Sequence, residues 1–132
     1  MKSTLLFAIV ALCIIAACKK KKEDAPPAPT VVGYWEGMYG YGSAVPDKTF
    51  NFLFRSNGTV RVYADDADTA AAGKAEGTYI VAGNTVKTTY TYPPATSYST
   101  QAVVDAGFTT MDGTWGDGAD VSGEGTFRIF KK

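Results

Sequence analysis

The sequence predicts an all-β domain over residues 31–132: an antiparallel up-and-down meander of about eight strands closing into a small barrel. Three observations predict it. Apolar and polar residues alternate with a period of two, as in strands with one dry and one wet face. Short clusters of Gly, Asn, Asp and Pro punctuate those runs as turns do. No window from Val31 on has the spacing of an amphipathic helix, and the alanine-rich stretch 64–75 is broken by aspartates and Gly73.

The elements follow in order. A first strand is expected over 33–41. Phe50, Phe52 and Phe54 then share one face of a second strand, with Thr49, Asn51 and Arg55 on the other. Ser56-Asn57-Gly58 is a tight hairpin signal, after which Val60, Val62 and Ala64 alternate with Thr59, Arg61 and Tyr63. A second hairpin joins 77–81 to 85–92 through Ala82-Gly83-Asn84, and Pro93-Pro94 ends it because proline cannot donate to a ladder. Strands over 98–104, 108–115 and 125–130 complete the count. The alternative, a β-sandwich, needs longer crossing connections than these turns supply. Closure removes exposed edges, and eight strands enclose either packed side chains or one small ligand. The recurring Gly77-Thr78-Tyr79, Gly113-Thr114-Trp115 and Gly125-Thr126-Phe127, with Gly33-Tyr34-Trp35 as a variant, read as bends beside aromatic rings.

The first 30 residues differ from the rest. Met1-Lys2-Ser3 is a short positive opening, and an apolar run over 4–17 ends in Ile15-Ala16-Ala17-Cys18. About 14 apolar residues fall short of the roughly 20 a bilayer-spanning helix needs, and match the core of a signal peptide. The tetrapeptide resembles the lipobox of bacterial lipoproteins. That resemblance implies a signal peptide at 1–17, lipidation of Cys18, and a tether over 18–30 that partners the membrane through its lipid. Two or more acyl chains anchor stably where one does not. The tether, four lysines followed by Ala25-Pro26-Pro27-Ala28-Pro29, would hold the domain about 30–40 Å from the lipid. The four lysines read first as a segment that lies on anionic lipid. The sharper alternative is that Lys22-Glu23-Asp24 resembles the lysine-then-two-acids signal that sends some lipoproteins to the outer face of the outer membrane. The expected location is the cell envelope, anchored at the outer membrane, with display at the cell surface the finer expectation.

Composition narrows the chemistry. From Ala25 on there are eight basic and eleven acidic residues, a balance that argues against nucleic acid. Histidine is absent, and both cysteines, Cys13 and Cys18, lie in the export region, which leaves the domain without the usual catalytic groups. No phosphate loop or dinucleotide fingerprint is present, so no enzyme activity, cofactor or resident metal is expected. Asp65, Asp66 and Asp68, and again Asp112, Asp117 and Asp120, read as turn aspartates; a weak calcium site is the alternative, but neither run has the spacing of a known calcium loop. Glu36 and Glu76 are expected to face solvent rather than to form an acid–base pair.

Gly33-Tyr34-Trp35 on the first strand, the eight-strand meander and Arg128 on the last strand together resemble the calycins, the lipocalins and avidins. The resemblance implies a barrel that holds a ligand at one mouth, with Trp35 closing the floor and Arg128 stacked on its indole. Sixteen aromatic residues lie beyond residue 30. The phenylalanine triplet, Trp35 and Tyr79 suffice for much of a small core, which leaves Tyr34, Tyr39, Tyr41, Tyr63, Tyr90, Tyr92 and Tyr98 for a mouth or an outer patch. Tyr39-Gly40-Tyr41-Gly42 and Tyr90-Thr91-Tyr92-Pro93-Pro94 concentrate rings beside turns, so Tyr39, Tyr41, Tyr90, Tyr92 and Tyr98 are the candidate ligand-binding residues; strand propensity alone also accounts for tyrosines there. The expected function is a membrane-anchored, non-enzymatic binding module for a small apolar or sugar-like ligand. The alternative is a structural or inhibitory module that engages an envelope protein, with its barrel filled by side chains. Protease shaving of intact cells tests the location: the domain is expected to be digested, and full protection would count against surface display.

Overall fold

The computed structural model describes residues 28 and 30–132; the expected signal peptide, Cys18 and the lysines of the tether lie outside the described residues. Eight strands follow one another: β1 (Gly33–Tyr41), β2 (Lys48–Phe54), β3 (Thr59–Ala64), β4 (Gly73–Ala82), β5 (Thr85–Tyr92), β6 (Thr96–Val104), β7 (Thr110–Asp117) and β8 (Gly125–Lys131). Each pairs antiparallel with the next, and β8 returns to β1, so the sheet is a closed barrel and not a sandwich. Every strand therefore has two hydrogen-bonded neighbours, and no ladder is left open to another chain.

Alternation sorts the side chains as the sequence implies. Phe52, Phe54, Val60, Val62, Val86, Met111 and Ile129 are fully buried. Phe52 and Phe54 stack with ring centroids 5.5 Å apart, and Trp35 meets Phe54 edge-on at 6.4 Å. Each phenylalanine so buried contributes about 1.5–3 kcal/mol. The opposite face carries ion pairs: Glu76 with Arg55 and Arg61, Arg128 with Asp112, and Glu36 with Lys132. These are exposed pairs, each worth under about 1 kcal/mol.

Tight coiling closes the wall, and glycine permits it. A methyl group on Gly125 would lie 1.8 Å from the Gly40 carbonyl across the β1–β8 seam, and one on Gly77 would lie 1.9 Å from the Thr89 carbonyl. Only a residue without Cβ lets the strands approach so closely, which is the physical content of the repeated glycine-x-aromatic pattern.

Some boundaries move. β4 begins at Gly73 rather than residue 77, because Gly73-Lys74-Ala75-Glu76 continue the ladder against Arg61–Ala64 despite their poor strand propensity. β6 starts two residues earlier than expected, and β7 two later, since Phe108 sits at φ 54° inside the preceding turn.

The barrel has two unlike ends. At one, short turns over 55–58, 83–84 and 105–109 meet the segment that enters β1 and the C-terminus. At the other, the loops 42–47, 65–72 and 118–124 and the turn 93–95 surround an open mouth.

The expected pairing of Trp35 with Arg128 is not formed. Trp35 does close the floor, fully buried, with its indole N–H donating to the Val31 carbonyl at 2.8 Å. Arg128 lies between the inward-facing Phe127 and Ile129, so strand parity turns it outward, where it makes two hydrogen bonds to Asp112, at 2.6 and 3.0 Å. Lys131 has the inward parity at the end of β8, and its Nζ stands 5.9 Å from the Trp35 ring centroid in place of the arginine.

Phe52→Ala is expected to lower the unfolding free energy by about 3–5 kcal/mol in urea titrations, with the slope unchanged. A loss below about 1 kcal/mol would mean that the centre of the barrel is not packed as described.

Candidate functional site

The aromatic residues near the mouth come from β1, β2, β5, β6 and β7, and each reaches it by position in its strand. Tyr39 and Tyr41 are two apart on β1, Tyr90 and Tyr92 two apart on β5, and both pairs therefore point to one side of the wall. Tyr98 comes from β6, Trp115 from β7 and Phe50 from β2. Neighbouring rings touch in sequence around the opening. Trp115 meets Tyr39, Tyr41 and Tyr98 at centroid distances of 5.5, 5.2 and 5.8 Å. Tyr98 continues to Tyr90 and Tyr92 at 6.1 and 6.0 Å, and Tyr39 packs on Phe50 at 5.1 Å. They line a cavity of about 290 Å³ whose remaining wall, on β3 and β4, is made of the small residues Ala64 and Gly73. The cavity exists because that wall is small: a side chain at Gly73 would start 3.6 Å from the Tyr92 ring.

Four polar groups mark this cup. The Tyr39 hydroxyl donates to Asp65 Oδ1 at 2.5 Å. Asp65 is the first residue after β3 and adopts φ 70°, a left-handed conformation that aspartate tolerates better than most residues. Its backbone N–H donates to the Thr49 carbonyl at 3.0 Å, so the carboxylate is held at the lip by both the main chain and Tyr39. The Tyr92 hydroxyl is buried without a partner among the described residues. The Trp115 indole N–H is already satisfied by the Gly40 carbonyl at 3.1 Å.

Burial raises the phenol pKa of Tyr39, Tyr90 and Tyr92 above the ordinary value, and for Tyr39 the hydrogen bond to Asp65 raises it further. These hydroxyls therefore remain protonated through neutral pH, as groups that can both donate and accept. The cup can stack on a flat or apolar body and bond to its polar edge. Around it, Asp66 and Asp68 accept hydrogen bonds from the backbone N–H groups of Asp68 and Ala70, the local bonding typical of turn aspartates. Among the described residues no group of three or more carboxylate, imidazole or thiol side chains is placed to hold a metal ion.

All five tyrosines singled out in the sequence line this one cavity. They differ in depth: Tyr90 and Tyr39 are 3% and 8% exposed and form wall and floor, whereas Tyr41 is 52% exposed at the rim. Tyr34 and Tyr63 meet edge-on elsewhere, on the outer face of the wall, and Tyr79 packs under Phe54 with its hydroxyl donating to the Arg55 carbonyl. Glu36 and Glu76 face outward into ion pairs. Sequence reasoning did not single out Trp115, Phe50 or Asp65 for this site. The signal for Trp115 was its place near the end of a strand that turns back at the same mouth as Tyr41. No match was found among protein-family models or among curated proteins.

An unpaired buried hydroxyl costs about 1–3 kcal/mol, so Tyr92→Phe is expected to leave the unfolding free energy unchanged or to raise it. A drop of more than about 1 kcal/mol in urea unfolding would mean that the hydroxyl is bonded after all.

Proposed function

We propose that this chain is a lipid-anchored protein of the cell envelope, held at the outer membrane through Cys18 and displayed at the surface, whose calycin-like barrel is a non-enzymatic binding module for a small apolar or sugar-like ligand. One observation carries the reading: seven aromatic rings converge on a cavity of about 290 Å³. That volume lies at the small end of ligand sites. Aromatic faces suit the C–H surface of a sugar or an apolar ring, while Asp65 and Thr96 of the lining suit a polar edge. Orientation also supports it. The chain enters β1 at the closed end, an arrangement that suits a mouth turned away from a membrane holding Cys18.

The alternative, a module that engages an envelope protein, is supported by an open groove on the outer wall beside the exposed Met38, Val45 and Phe130. The two readings separate on one residue. Tyr41→Ala is expected to weaken binding of a neutral apolar dye such as N-phenylnaphthylamine, or of a monosaccharide, by about tenfold while the thermal midpoint stays nearly constant. Unchanged binding would place the ligand elsewhere, and a large fall in the midpoint would assign Tyr41 to the core.

A further inference from the structure

Charge is distributed unevenly along the barrel axis. On the outer wall, Glu36, Glu76 and Asp112 are each paired with a lysine or arginine, and at the closed end Asp105 is bonded to Thr109 and Thr110. The mouth differs. Its loops and strand ends hold Asp47, Asp65, Asp66, Asp68, Asp117, Asp120 and Glu124, against Lys48 and Lys74 alone. Among the described residues, Lys48 pairs with Asp47, and Lys74 caps the carbonyls of Ala70 and Ala72 rather than a carboxylate. The other six carboxylates have no cationic partner among the described residues. Among the described residues no lysine or arginine lines the aromatic cavity, and the one charged group that does is Asp65.

Two independent features thus favour the same kind of occupant. The faces of tyrosine and tryptophan are negative and attract a cation placed within about 6 Å, most strongly where water is excluded. A rim of one sign focuses the field into the opening and raises the local concentration of the opposite charge. The same field repels carboxylate and phosphate ligands. The Tyr39 hydroxyl takes only one Asp65 oxygen, Oδ1, which leaves Oδ2 of the carboxylate to face a cation.

We propose that the occupant of the cup is a small organic cation, an alkylated ammonium whose apolar groups face the tyrosine and tryptophan rings and whose charge is balanced by Asp65. This rests on the binding-module reading above and narrows it to an apolar body that carries a positive charge. The other aromatic-lined possibility, a neutral sugar, could use the tyrosine and Thr96 hydroxyls of the lining, but it would draw no long-range attraction from the carboxylates of the rim.

The test is a titration of the full-length protein, followed through tryptophan fluorescence, with choline, with dimethylbutanol (its neutral isostere, carbon replacing nitrogen) and with glucose. Choline is expected to bind at least roughly tenfold tighter than dimethylbutanol. Asp65→Asn, which keeps an oxygen for Tyr39, is expected to erase most of that preference, lowering the affinity for choline far more than that for dimethylbutanol. Should that variant fail to fold, the wild-type protein still decides: choline binding is expected to weaken with rising salt, and dimethylbutanol binding to hold steady. Equal or tighter binding of dimethylbutanol or glucose would overturn the cation proposal and leave the binding module standing. If choline, dimethylbutanol, glucose and N-phenylnaphthylamine all fail to bind, both fall.

Discussion

Everything in this molecule depends on the seam where β8 returns to β1. Seven consecutive positions pair across it, from Trp35 against Lys131 to Tyr41 against Gly125. Without that pairing, two long ladders would face solvent and the inward side chains would lose half their neighbours. The seam is tight because Gly125 brings its backbone against Gly40, and the Gly40 carbonyl in turn accepts the indole N–H of Trp115. One glycine contact thus sets both the closure of the wall and the position of a ring in the cup. At the far end of the same seam, Lys131 covers Trp35 and donates to the Thr30 carbonyl, so the floor is sealed where the chain enters.

A closed eight-stranded wall leaves little volume to divide. The lower part is filled by Trp35, Phe52, Phe54, Met111 and Ile129, all essentially inaccessible. Toward the mouth the lining changes from branched aliphatic and phenylalanine side chains to tyrosines and a tryptophan, while β3 and β4 contribute only Ala64 and Gly73. A packed floor supplies the stability that the mouth does not need to supply. This division lets the mouth keep an open cavity, an unpaired hydroxyl and crowded carboxylates, each of which costs free energy in a core.

The fold was legible because period-two alternation and tight-turn signals coincide: Phe50, Phe52 and Phe54, then Asn57-Gly58, then Val60 and Val62 define register and face together. The tyrosines of the cup were legible for a similar reason, since alternate positions beside a turn reach one end of a barrel. Where the reading failed, local pattern and long-range register disagreed. The resemblance that placed Arg128 on Trp35 overrode a parity argument already present in Phe127-Arg128-Ile129, whose alternation sends the arginine outward. The β4 start was hidden because glycine, lysine and alanine carry little strand preference, and only the ladder with β3 fixes them. Asp65 looks like any turn aspartate in a run of alanines. Its bond to Tyr39, 26 residues earlier, exists only through the β1–β2–β3 register.

The central claim is closure, and amide hydrogen exchange measures it residue by residue. The account predicts that seam amides of β1 and β8 exchange as slowly as those between β4 and β5, because all open only with global unfolding. Exchange of the seam amides at the rate of a free sheet edge, with β4 and β5 still protected, would contradict the closed barrel and the cup built on it.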